Sequence, residues 1–147
     1  MNTKPTFHNL WTTSIMSIIL PGSEMANNVL YQIINELDSN RKNLTTKYLD
    51  QEFLKIDHPA IKWLHNCFNQ SVIDYARNCG IKYNVEFSIQ AWPNINRFGD
   101  YHNLHNHPHS WLSGTYYVLV PNDEASIGRR EDLNPNAISF FDPRPQA

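Results

Sequence analysis

The sequence predicts an α+β fold, a helical first half followed by consecutive antiparallel strands. Three observations lead there. Apolar residues recur at helical spacing up to about residue 80 and switch to strict alternation from Tyr83. Turn-forming residues then cut the second half into short segments. The length of 147 residues suits one domain with a single core.

Taken in order, residues 15–20 are apolar and read as a buried strand ended by Pro21 and Gly22. This run is shorter than the ~7–15 residues of a signal-peptide core, Ser17 interrupts it, and no small-residue cleavage site follows. A cytoplasmic protein is therefore expected, with Cys67 and Cys79 as reduced thiols. Ser23 can cap a helix running to about residue 37, with Val29, Leu30, Ile33, Ile34 and Leu37 as its apolar stripe. Residues 38–47 are polar and read as a loop. A second helix starts near residues 57–59 with Pro59 in its first turn. Its stripe is Ile61, Leu64, Phe68, Val72 and Tyr75, and Gly80 supplies the stop.

Beyond it, Val85, Phe87, Ile89 and Ala91 alternate with Glu86, Ser88 and Gln90, the pattern of a half-buried strand. Pro93 and Asn94 end it, and residues 97–100 read as a turn. A second strand covers about 101–107 and is broken by Pro108, His109 and Ser110. Residues 111–120, dense in aromatic and β-branched side chains, form the strongest strand. Residues 122–136 are a polar loop, and 137–141 a last short strand.

Composition narrows the function. A net charge of −2 gives no basic field for nucleic acid or anionic lipid. A hydrophobic fraction of 41% argues against disorder. No apolar run approaches the ~20 residues of a membrane span. Two cysteines are too few for a disulfide framework, and no glycine-rich phosphate loop is present. The tryptophans lack the basic stripe of a base-stacking platform.

The histidines stand out. Four of the seven (His102, His105, His107 and His109) fall within eight consecutive residues. Residues two apart in a strand share a face, so His105 and His107 project together. Such a pair can share one metal ion at ~2.0–2.1 Å. Imidazole suits Fe, Zn, Cu and Ni, and the third ligand chooses among them. In a regular strand His102 has the opposite parity to His105, and His109 lies past the break. A solvated pair that binds metal only adventitiously is the bland alternative. Two flanking features favour a site: Gly114 inside the next strand marks a close approach by ligand or backbone, and adjacent Tyr116 and Tyr117 put one hydroxyl on each face.

The segments Ala91-Trp92-Pro93-Asn94, Gly99-Asp100-Tyr101, His105-Asn106-His107-Pro108 and Leu112-Ser113-Gly114-Thr115-Tyr116-Tyr117-Val118 together resemble a family of 2-oxoglutarate/Fe(II)-dependent oxygenases of prolyl-hydroxylase-like type. Phe141-Asp142-Pro143-Arg144 looks like that family's next strand. The resemblance covers essentially the whole chain and is most specific over residues 92–120. It implies a double-stranded β-helix, or jelly roll. In one domain spanning 1–147, a helical part of about 1–80 would pack on a jelly-roll part of about 81–147. It also implies Fe(II) and 2-oxoglutarate as cofactors. His105 matches the first metal ligand. His107 stands where the wider superfamily usually places a carboxylate. Tyr117 matches a strand tyrosine that contacts the 2-oxoglutarate carboxylate. Asn94, Ser113 and Arg144 match signature positions without an assigned role, and no catalytic residue beyond the metal ligands is implied.

The family's distal histidine, and the Arg or Lys that binds the far carboxylate of 2-oxoglutarate, both follow the segment matched by Phe141 to Arg144. Here no histidine follows His109, and the only later cations are Arg129, Arg130 and Arg144. About five strands are recognisable, against about eight in a jelly roll. The expectation is an incomplete jelly roll lacking its last strands, as a fragment or a natural short form, and inactive alone. The expected parent activity is a dioxygenase that couples 2-oxoglutarate decarboxylation to C–H hydroxylation. Its partners would be O2 and a small-molecule or peptide substrate, without membrane or nucleic acid, and with homo-oligomerisation left open. Two alternatives stand beside it. A cupin-like metal enzyme could use Glu124 and Glu131 but again lacks the later histidine. A non-catalytic jelly-roll binding or structural domain would carry an incidental metal site.

Overall fold

Two helices form where the apolar period is helical, and local chemistry fixes their ends. The computed structural model describes residues 12–40, 52–97, 100–121 and 137–142. Helix α1 spans Ser23–Asn40 and helix α2 spans Pro59–Asn78, with a 3-10 turn at Phe53–Lys55 between them. Gly22 takes the left-handed conformation (φ 82°) that lets the chain turn into α1. Its carbonyl accepts from the Ala26 N–H at 3.2 Å. Ser23, expected as the cap, is instead the first helical residue. The helix also runs past the expected end near residue 37. The Ser39 hydroxyl donates to the Asn35 carbonyl at 2.9 Å, which settles this polar residue inside the last turn. The rest of the expected loop, from residue 41, lies outside the described residues.

Helix α2 starts as the sequence reads. His58 is its N-cap, and its Nδ1 accepts from the Ala60 N–H at 3.1 Å, with Pro59 next in the chain. Gly80 ends it in the left-handed region (φ 86°). The Gly80 N–H donates to the Arg77 carbonyl and the Ile81 N–H to the Ala76 carbonyl, both at 3.0 Å. This paired arrangement is the Schellman cap, with apolar Ile81 following the glycine.

Helix α1 packs on α2, and so does the 3-10 turn. The core between them is Leu20, Leu30, Phe53, Ala60, Ile61, Leu64 and Ala76, with Leu30 and Ile61 fully buried. Each such aliphatic side chain contributes about 1.5–3 kcal/mol relative to exposure. The remaining stripe residues, Val29, Ile33, Ile34, Leu37, Phe68, Val72 and Tyr75, are half-buried. Two bonds from α2 hold the incoming chain: Trp63 Nε1 donates to the Pro21 carbonyl at 3.2 Å, and Tyr75 Oη to the Ser14 carbonyl at 2.8 Å.

The expected strands do not form. Among the described residues there is no strand and no sheet, so the jelly-roll expectation is corrected here. Residues 15–20 are no buried strand either: Leu20 is buried, while Ile19 is 88% exposed. The physical reason is the same throughout. Strand propensity measures how well a side chain fits a pleated surface that already has neighbours, and cross-strand pairs supply the stabilisation. Residues 85–91 keep only part of their alternation in burial: Val85, Ile89 and Ala91 are half-buried and Glu86, Ser88 and Gln90 exposed, but Phe87 is exposed too, and no ladder forms. Trp111, Leu119 and Phe140 are all largely exposed. The chain divides into two compact units, Met1–Ser113 and Gly114–Ala147. Both helices belong to the first. No described helix is long and apolar enough to cross a membrane.

Candidate metal centre

The route from α2 to the histidines is fixed by polar bonds. The expected turn at 97–100 is closed by the Asp100 N–H donating to the Arg97 carbonyl at 2.9 Å. The Arg97 N–H also donates to Asp100 Oδ2 at 2.8 Å. Phe98 and Gly99 within it lie outside the described residues. The Arg97 guanidinium pairs with the half-buried Asp38 of α1, so the helix anchors the approach to the cluster. A second turn follows at Pro108 and His109, closed by the Ser110 N–H donating to the His107 carbonyl at 3.0 Å. Proline at the first central position presets φ for such a turn.

Between these turns the imidazoles come together. The rings of His105 and His107 have centroids 5.0 Å apart, edge to face at 71°. Two imidazoles bound side by side to one ion at ~2.0–2.1 Å have ring centroids about 4.5–5 Å apart, so the spacing suits a shared metal. His105 Nδ1 lies 2.7 Å from the Asn103 carbonyl oxygen. A carbonyl can only accept, so Nδ1 carries a proton in this bond, which points a metal to Nε2. A metal-ligating histidine is oriented in this way, with its second nitrogen on a backbone carbonyl. His102 lies further off, its ring 6.4 Å from that of His105 and its Nε2 3.2 Å from Asn96 Oδ1. Without a regular strand, the parity that separated His102 from His105 does not apply.

His107 is half-buried, whereas His102, His105 and His109 are exposed. The indole of Trp92 stands beside it, with centroids 6.4 Å apart and the planes tilted by 41°. Among the described residues no group of three or more His, Cys, Asp or Glu side chains is arranged to hold a metal. The donor set is thus two imidazoles. That chemistry fits Fe(II) for two positions and leaves the third to another donor.

The other candidates are scattered. Tyr117 is 47% exposed and belongs to the second unit. Asn94 and Ser113 are exposed. Arg144, and with it Glu124, Glu131, Arg129 and Arg130, lies outside the described residues. Two contributors escaped sequence reasoning. The Asn103 carbonyl is a backbone group, and residue types carry no signal for its direction. Trp92 was visible only as a signature residue, fifteen positions before the His107 it approaches. Away from the cluster, both cysteines are free thiols, and burial pushes that of Cys67 up.

No curated protein and no solved structure matches the chain. One family model does, that described as "Putative 2OG-Fe(II) oxygenase", over residues 90–147. The matched segment holds His105, His107 and Tyr117, and leaves both helices outside. It is less than half of the chain, and over that stretch it supports the 2-oxoglutarate/Fe(II) oxygenase family that the histidine and tyrosine motifs resemble.

Proposed function

We propose that this chain carries the metal-binding histidines of an Fe(II)- and 2-oxoglutarate-dependent oxygenase. One observation supports this most: the 5.0 Å pairing of His105 with His107, with His105 Nδ1 held on the Asn103 carbonyl. The family match over the same segment adds the identity of the cofactors.

In this reading His105 Nε2 and a ring nitrogen of His107 would hold the iron. Bound there, iron and 2-oxoglutarate supply the oxidising power for hydroxylating a C–H bond with O2. The Asn103 carbonyl holds a proton on His105 Nδ1, so Nε2 is the nitrogen that would face the metal. By the family resemblance, Tyr117 would donate its hydroxyl to a 2-oxoglutarate carboxylate, a charge-assisted bond. The required partners are O2 and a small-molecule or peptide substrate.

The test is anaerobic equilibrium dialysis with Fe(II) and labelled 2-oxoglutarate. Retention of 2-oxoglutarate should require Fe(II) and vanish in His105→Ala. It should weaken about tenfold in Tyr117→Phe, the size of one lost hydrogen bond to a charged group. Retention that is indifferent to Fe(II), or unchanged in His105→Ala, would contradict the proposal.

A further inference from the structure

The four clustered histidines are not equivalent in their surroundings. His107 alone of the four is half-buried. Its surroundings are ordered on two sides: the edge of the His105 ring at 5.0 Å, and the Trp92 indole at 6.4 Å. Its own backbone carbonyl accepts from the Ser110 N–H at 3.0 Å, which restrains the main chain that carries the ring. The next residue, Pro108, has a fixed φ. Trp92 is itself half-buried, and the adjoining Pro93 is buried, which seats the indole on the first unit. The result is a row of groups, Trp92, His107, His105 and the Asn103 carbonyl, in which each restricts the next.

We infer that Trp92 is a positioning residue that holds the His107 imidazole against His105, selecting His107 over His102 and His109 as the second metal donor. The inference rests on the reading of His105 and His107 as the metal pair. An aromatic neighbour at this spacing restricts ring rotation through a contact worth only a small multiple of thermal energy. Losing it should raise the dissociation constant for metal about three- to tenfold rather than abolish binding. Phenylalanine retains an aromatic face at the same position and should restore most of the affinity.

The experiment titrates the full chain with Co(II) alone and follows both the cobalt absorption bands and tryptophan emission. Wild type should bind one Co(II) and lose emission on binding. Trp92→Ala should bind about three- to tenfold more weakly, and Trp92→Phe should bind nearly as wild type. The metal-dependent loss of emission should be largely absent in both, because the indole beside the site is gone while Trp11, Trp63 and Trp111 remain. His102→Ala and His109→Ala should leave affinity unchanged. Far-ultraviolet circular dichroism of each variant reports the helices separately. If Trp92→Ala binds Co(II) as wild type while His107→Ala does not, the inference is overturned and the metal pair stands. If wild type binds Co(II) no better than the His105→Ala/His107→Ala double variant, the metal pair fails and the inference fails with it.

Discussion

Substituting Ile61 by alanine tests the helical core, and the same substitution at Ile19 supplies the contrast. Ile61 is fully buried in α2, in a core of seven of the described residues, whereas Ile19 is 88% exposed just before α1. Removing the Ile61 side chain beyond Cβ loses its transfer free energy and leaves a cavity, together about 2–5 kcal/mol. Alanine returns only a few tenths of a kcal/mol in helix propensity. A small domain has about 5–15 kcal/mol in total, so the loss is a large fraction of it. Ile19→Ala should change stability by less than about 0.5 kcal/mol. Urea unfolding followed at 222 nm measures both. The contrast is sharp because the sequence alone places Ile19 in a buried strand, which would make the two substitutions comparably costly. A loss below about 1 kcal/mol for Ile61→Ala, or a similar loss at both sites, would refute the packing described.

Three further predictions follow from local chemistry. Gly80→Ala should cost about 1–2 kcal/mol, purely from the left-handed backbone, since an added Cβ meets nothing within 4 Å; a neutral effect in the same assay would contradict the cap. Cys79 should be alkylated by iodoacetamide before Cys67, because Cys79 is exposed and burial raises the Cys67 thiol, leaving less thiolate; mass spectrometry showing equal rates would count against this. A hydrogen bond from Lys62, then its charge, holds the Asp57 carboxyl below the ordinary value of 3.8. The pair therefore favours the folded state above that value and ceases to do so as pH falls through the lower folded one. Lys62→Ala should move the Asp57 titration, followed by NMR, back up, and an unmoved titration would show that the pair does not form in solution.

The helices were legible because their signals are local. A 3.6-residue apolar period, a proline after His58 and a glycine after Cys79 each act within a few residues. Even there, the polar end of α1 misled, since Asp38 and Ser39 read as loop until their helical partners are known. The strands were not legible in the same sense. Alternation over residues 85–91 reports a face, and burial keeps it at Val85, Ile89 and Ala91 but not at Phe87, because a sheet also needs a partner that no local pattern supplies. For the site, the sequence placed His105 and His107 side by side through strand geometry. The two rings do meet, though through a chain bounded by the turns at 97–100 and 107–110 rather than through a pleat. The tautomer of His105 and the contact of Trp92 with His107 depend on backbone direction, which residue identity does not encode.

The central claim is that His105 and His107 together hold one metal ion. The direct measurement is the number of Fe(II) ions bound per chain under anaerobic conditions, for wild type, His105→Ala, His107→Ala and His109→Ala. One Fe(II) per chain in wild type and His109→Ala, with none in His105→Ala or His107→Ala, is the predicted result. Binding that survives in either single variant of the pair, or that depends equally on His109, would contradict it.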